Sequence, residues 1–177
     1  MSSDASPKAE SAEDAMLAGN YSIPILWLSM FGVDDMTVWP STIEAEDYTA
    51  LFASTSECLD RSRIRVEQWS AAWPTMFAEI GPKWIAFLES IDAPFLGVWT
   101  EEISGMSGDE EFASELESYL GGLDAATSEG FTAALRQSYF DVVAGSPIDV
   151  AATDDVGVIA AGYEWGVVPP WKAAPEP

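Results

Sequence analysis

Between Ser41 and Pro74, the apolar residues Tyr48, Leu51, Phe52, Leu59, Val66, Trp69 and Trp73 recur at steps of three, four or seven. Steps of that size return a side chain to the same face of an α-helix, so the run predicts one long amphipathic helix with a buried stripe. Ser41-Thr-Ile-Glu44 has the spacing of a capping box at its start, Pro74 stops it, and Ser54 to Ser56 mark where it could break. Such a stripe needs further apolar elements to pack against, and the rest of the chain supplies them.

Upstream, Tyr21 to Gly32 is apolar all round. It predicts a buried helix capped by Ser22, tolerant of Pro24 in its first turn and ended by Gly32, with a buried strand as the alternative. Val33 to Pro40 predicts a loop. Downstream, Met76 to Ile80 and Lys83 to Ile91 predict two helical pieces separated by Gly81-Pro82, with Phe77, Ile80, Trp84, Phe87 and Ile91 facing inward. Phe95 to Ile103 is β-branched and aromatic enough for a strand, and Gly105 to Gly108 turns the chain. Asp109 to Leu120, ended by Gly121-Gly122, and Ser128 to Val143 predict two more helices. Val156 to Val168, rich in Gly and Val, predicts one strand or two short ones that pair with Phe95 to Ile103.

The expected fold is therefore α+β and predominantly α-helical, a compact helical domain with a small C-terminal antiparallel sheet. At 177 residues, 48% of them hydrophobic, the chain has material for one core. Residues 1–20 predict a flexible acidic N-terminal tail, residues 21–171 a single globular domain, and residues 172–177 a Pro-rich C-terminal end. Met1 to Asp14 lacks the basic leader and apolar stretch of a signal peptide. The run from Ile23 to Phe31 is far short of the roughly 20 residues that span a membrane. The lone Cys58 cannot form an internal disulfide, and a reducing cytoplasm fits.

Charge narrows function more than any motif. Asp and Glu number 30 against 7 Lys and Arg, for a net charge of −23 at pH 7. That surface repels nucleic acid and anionic membranes, whose binding requires cations against phosphates. It attracts a basic protein, with steering that weakens as salt rises. Histidine is absent, which removes imidazole from any mechanism, and neither G-x-G-x-x-G nor G-x-x-x-x-G-K-[ST] occurs. No cofactor is expected.

Carboxylates are the remaining candidates for chemistry. Paired acids could hydrolyse glycosides, and Asp34-Asp35, Glu44-Ala-Glu46-Asp47 or Asp109-Glu-Glu111 could hold a divalent cation, but none has a specific signature. Solvated surface charge is the simpler account of each cluster. Acids in loops or first helical turns, off the inward stripes, are the candidate partner-binding residues. They are Asp34, Asp35, Glu44, Glu46, Asp47, Asp109, Glu110, Glu111, Asp154 and Asp155. Trp39, beside Asp34 and Asp35, joins them as a hot-spot type of side chain. Arg61, Arg63 and Arg65 lie within helical reach of Glu57, Asp60 and Glu67, so local ion pairs account for them. The sharper alternatives are an anchor that holds neighbouring acidic elements together, or a lone positive patch that contacts the partner.

In size, acidity, lack of histidine and helical build, the chain resembles the small acidic immunity proteins of bacterial toxin systems, whose targets are commonly basic nucleases. The resemblance implies an inhibitor that covers a cationic surface, with carboxylates standing in for phosphates as in a DNA mimic. A carboxylate-based or metal-dependent enzyme, and an acidic domain adapted to high salt, are the alternatives.

Overall fold

The computed structural model describes residues 23–41, 47–72 and 74–124. The long periodic run divides where its serines lie. Tyr48–Ser54 is a strand, β2, and Thr55–Ala72 is a helix, α2. The capping box is Ser54-Thr-Ser-Glu57: Ser54 Oγ donates to Glu57 Oε2 at 2.6 Å, and Glu57 N donates back to Ser54 Oγ at 3.3 Å. The Ser54 hydroxyl and the Ser54 amide, which donates to the same Oε2 at 3.3 Å, hold the Glu57 carboxyl below its usual range. Glu44, the expected partner of Ser41, lies outside the described residues.

Two further boundaries differ from expectation. Met36–Trp39, read as loop, is a strand (β1) that follows a 3₁₀ turn over Val33–Asp35. The two pieces expected around Gly81-Pro82 are one helix, α3 (Pro74–Glu89), with Pro82 inside it. Pro82 cannot donate to the carbonyl four residues back, but it lies on the exposed side while Phe77, Ile80, Trp84 and Leu88 form a continuous buried stripe. Packing outweighs the lost bond. Pro74 opens α3 as its first residue, the helical position that tolerates proline best.

The apolar stretch before β1 forms only a short helix, α1 (Ile25–Leu28), and then a turn. Gly32, extended at φ −110°, leads into the 3₁₀ turn. Phe95–Val98 is the third strand, β3, shorter than expected, because Glu101–Ser107 is helical (α4). Gly108, at φ +87°, sits in left-handed territory where an L side chain would be strained, and it ends α4. Asp109–Asp124 is α5, which runs through Gly121-Gly122 because Leu120 and Leu123 are both buried on its inner face.

The described residues are thus mostly helical, with one small antiparallel sheet in the order β1-β2-β3. Its strands come from residues 36–98, with Met36 opposite Leu51 and Leu51 opposite Val98. The expected strands in Val156 to Val168 and the helix over Ser128 to Val143 lie outside the described residues. Leu51, Ala53, Leu96 and Val98 face inward onto α2, and α3 packs along α2. Phe112, Leu116, Leu120 and Leu123 of α5 join the same apolar cluster.

Candidate interaction surface

Alternation along a strand sends successive side chains to opposite faces, so the sheet has a second face turned away from the core. Trp39, Phe52 and Phe95 occupy it, one from each strand. The Trp39 and Phe52 rings are 5.9 Å apart and tilted, and Phe52 stacks on Phe95 at 5.2 Å. Gly97 lies opposite Phe52. A Cβ there would come within 3.3 Å of the Phe52 ring and 3.6 Å of Trp39, so these rings lie over the glycine backbone. Phe95 is 50% exposed and Trp99, just past β3, 38%. Together they form an aromatic ridge across the outer sheet face.

Acids frame this ridge in unequal ways. Glu101, the first residue of α4, is buried: its Oε2 accepts from Trp99 Nε1 at 3.0 Å, and its Oε1 accepts from Ser41 Oγ. Burial first, and the Glu101 carboxylate second, push the neighbouring Tyr48 phenol up to about 12. Asp92, before β3, and Glu102, in the first turn of α4, are exposed.

The expected partner-binding residues divide into three groups. Asp34, Asp47, Glu110 and Glu111 are exposed. Asp35 and Asp109 are spent inside the molecule. Asp35 Oδ2 accepts from Gly32 N at 2.7 Å and from Arg61 Nη1 at 2.6 Å. Asp109 Oδ1 accepts from Thr49 N at 2.7 Å and its Oδ2 from Thr49 Oγ1 at 2.9 Å. Continuing the β2–β3 register would put Thr100 opposite Thr49, where β3 has already ended. The Asp109 carboxylate and the Thr100 hydroxyl, which donates to Thr49 O, take over the ladder bonds of the missing strand. Glu44, Glu46, Asp154 and Asp155 lie outside the described residues. Trp39 pairs with Tyr48 on the β1 side of β2, whereas Asp109 binds Thr49 on the β3 side, so the structure does not bring these two candidates together.

The arginines act at longer range than local ion pairing implies. Arg65, only 2% exposed, donates from Nη1 to Leu28 O at 2.7 Å and Phe31 O at 2.6 Å. Arg61 Nη1 donates to Met30 O at 2.7 Å as well as to Asp35. Ser62, also buried, donates to Ser29 Oγ at 2.8 Å, because Ser29 itself donates to Leu26 O. A polar stripe on α2 thereby satisfies the carbonyls that α1 leaves open at its end. Arg63 bridges to Glu89 of α3 at 2.7 Å, with Asp60 a looser local partner at 3.3 Å, and Lys83 pairs with Glu79 at 2.6 Å.

Two features with chemical potential are quiet. Burial pushes the Cys58 thiol up to about 12, with the Asp35 carboxylate acting in the same direction, so it is not a nucleophile at neutral pH. Among the described residues, no group of three or more Cys, Asp or Glu converges as a metal site would. No helix among them is long and apolar enough to cross a membrane. Sequence reasoning missed Phe95, Gly97 and Trp99 as surface features, and Glu101 as the buried carboxylate beside them. The alternation of Phe95, Gly97 and Trp99 was the available signal. No protein-family model, no characterised protein and no solved structure matches this chain.

Proposed function

We propose that this protein acts by binding, not catalysis, and that its partner is a cationic protein. One observation carries the reading. The cations among the described residues, Arg61, Arg63, Arg65 and Lys83, are all engaged by the protein's own carboxylates or carbonyls, while Asp34, Asp47, Asp92, Glu102, Glu110 and Glu111 face solvent. Internal pairing leaves the surface with an outward field of one sign. Such a field speeds encounter with a basic surface and disfavours nucleic acid and anionic lipid. An immunity-type inhibitor of a basic toxin or nuclease, working in the cytoplasm, is the form this reading takes.

The test is affinity capture on the immobilised full chain at low salt, followed by identification and purification of what is retained. A cationic protein whose affinity for the chain falls steeply between about 50 and 500 mM salt is the expected result. If no cationic protein is retained, or if the purified pair is indifferent to salt, the reading fails.

A further inference from the structure

The bonds made by β2 fix which way β3 turns its backbone. Thr49 N points to the β3 side, where it meets Asp109, and Thr55 N reaches Pro94 O at 3.0 Å. Leu96 and Val98 therefore turn their amide groups toward β2, and Phe95 and Gly97 turn theirs outward. Among the described residues no strand lies beyond β3. Phe95 and Gly97 are both exposed residues at this edge. The edge also lacks the usual guards, since β3 contains no lysine, proline or other charged residue.

The side chains add a second observation. Phe95 and Trp99 stand on either side of Gly97, whose outer face the Phe52 and Trp39 rings cover, and both present exposed aromatic surface. A guanidinium or ammonium placed over such rings is held by their quadrupoles. Asp92, three residues before β3, and Glu102, in the first turn of α4, add exposed carboxylates on the segments that enter and leave the strand.

We propose that the outer edge of β3 is a docking strand for an extended cationic segment, which adds to the sheet and lays a basic side chain against the exposed rings of Phe95 and Trp99. This deepens the reading of a cationic partner and rests on it. Backbone bonds to Phe95 and Gly97 supply affinity, and the exposed aromatic rings with the nearby acids supply the preference for positive charge. A second copy of this chain is a poor occupant, because each copy carries −23.

The probe is a peptide of alternating arginine and valine, about eight residues long so that it spans β3 at roughly 3.3 Å per residue. It is titrated calorimetrically into the full chain at low salt, beside the same peptide N-methylated on alternate amides in either register. One methylated register should bind at least about tenfold more weakly, since it cannot donate to the edge. Phe95→Lys, at an exposed position, should weaken the parent peptide by a similar factor. In hydrogen exchange, the Phe95 and Gly97 amides should exchange freely in the chain alone and slow down when the peptide is bound. Equal binding by parent and both methylated peptides overturns the edge proposal and leaves the cationic-partner reading standing. Amides already protected in the free chain overturn it too, because the chain's own remaining residues or a second copy would then hold the edge. Failure of the partner reading is separate, and is read from the capture experiment.

Discussion

Gly81 and Gly121 offer the same substitution in two helices with opposite expected signs. Replacing an interior helical glycine by alanine gains about 0.8–1.0 kcal/mol from backbone propensity alone. At Gly121 of α5 a new Cβ meets nothing within 4 Å, so Gly121→Ala should stabilise the protein by up to about 1 kcal/mol. At Gly81 of α3 the new Cβ would fall 2.5 Å from Val66 Cγ1 of α2. Val66 is buried, and a β-branched side chain in a helix has one strongly preferred rotamer, so it cannot swing aside. The two helices must separate instead. Overpacking of this kind costs about 1–3 kcal/mol, enough to cancel the propensity gain and reverse the sign. Urea denaturation followed by tryptophan fluorescence measures both variants. A double-mutant cycle with Val66→Ala isolates the clash: in that background Gly81→Ala should become neutral or stabilising, a coupling of about 1–3 kcal/mol. If Gly81→Ala stabilises the otherwise native chain, or the cycle shows no coupling, the close approach of α2 and α3 is not as described.

Other substitutions probe the polar joints. Arg65→Met strands the Phe31 carbonyl, leaves Leu28 O with only the long bond from Phe31 N at 3.4 Å, and should cost about 3 kcal/mol, whereas Arg63→Met, which breaks only exposed pairs, should leave the urea midpoint nearly unchanged. Equal urea midpoints for the two variants would contradict the anchoring role of Arg65. Asp109→Ala removes two charge-assisted acceptors from Thr49 and should cost about 2–4 kcal/mol, with Asp109→Asn intermediate and Glu110→Ala within about 0.5 kcal/mol. Faster amide exchange at Thr49 in Asp109→Ala checks the mechanism directly. Alkali should weaken the fold. Cys58 and Tyr48 are both pushed up to about 12, from ordinary values of 9.0 and 10.0, so the unfolded chain releases these protons first. Their contribution is full below about pH 9 and is lost as pH rises toward 12; Cys58→Ala and Tyr48→Phe should each flatten the decline in denaturation midpoint over that range.

Much of the helical skeleton was legible because period and burial agree. The stripe of Phe77, Ile80 and Trp84, and that of Phe112 and Leu116, are buried as their spacing implies. The errors fall where one pattern serves two structures. Tyr48, Leu51 and Phe52 fit a helical step, yet they also occupy a strand covered on its inner face by helices and crossed on its outer face by aromatic rings. Pro82 and Gly121-Gly122 look like stops, but tertiary packing on the opposite side of each helix carries the backbone through. Among the candidate acids, exposure of Asp34, Glu110 and Glu111 followed from their turn positions. The internal engagement of Asp35 and Asp109 did not, because their donors, Arg61 and Thr49, are 26 and 60 residues away in sequence. The ridge of Trp39, Phe52 and Phe95 required the strand register, which no local pattern encodes.

The edge of β3, beyond which no strand lies among the described residues, also bears on how the protein behaves in solution. Many sheet proteins protect such an edge with a lysine or a proline on the strand itself. Here mutual repulsion between highly charged molecules does that work from a distance, and it depends on conditions as a local guard does not. Acid near the intrinsic carboxyl range of about pH 4, or salt that shortens the Debye length to about 3 Å, removes the repulsion without touching the strand. Under those conditions Phe95–Val98 becomes a template for edge-to-edge stacking. The protein's colloidal stability and its fold stability should therefore part company: salt that relieves strain within one molecule exposes neighbouring molecules to each other.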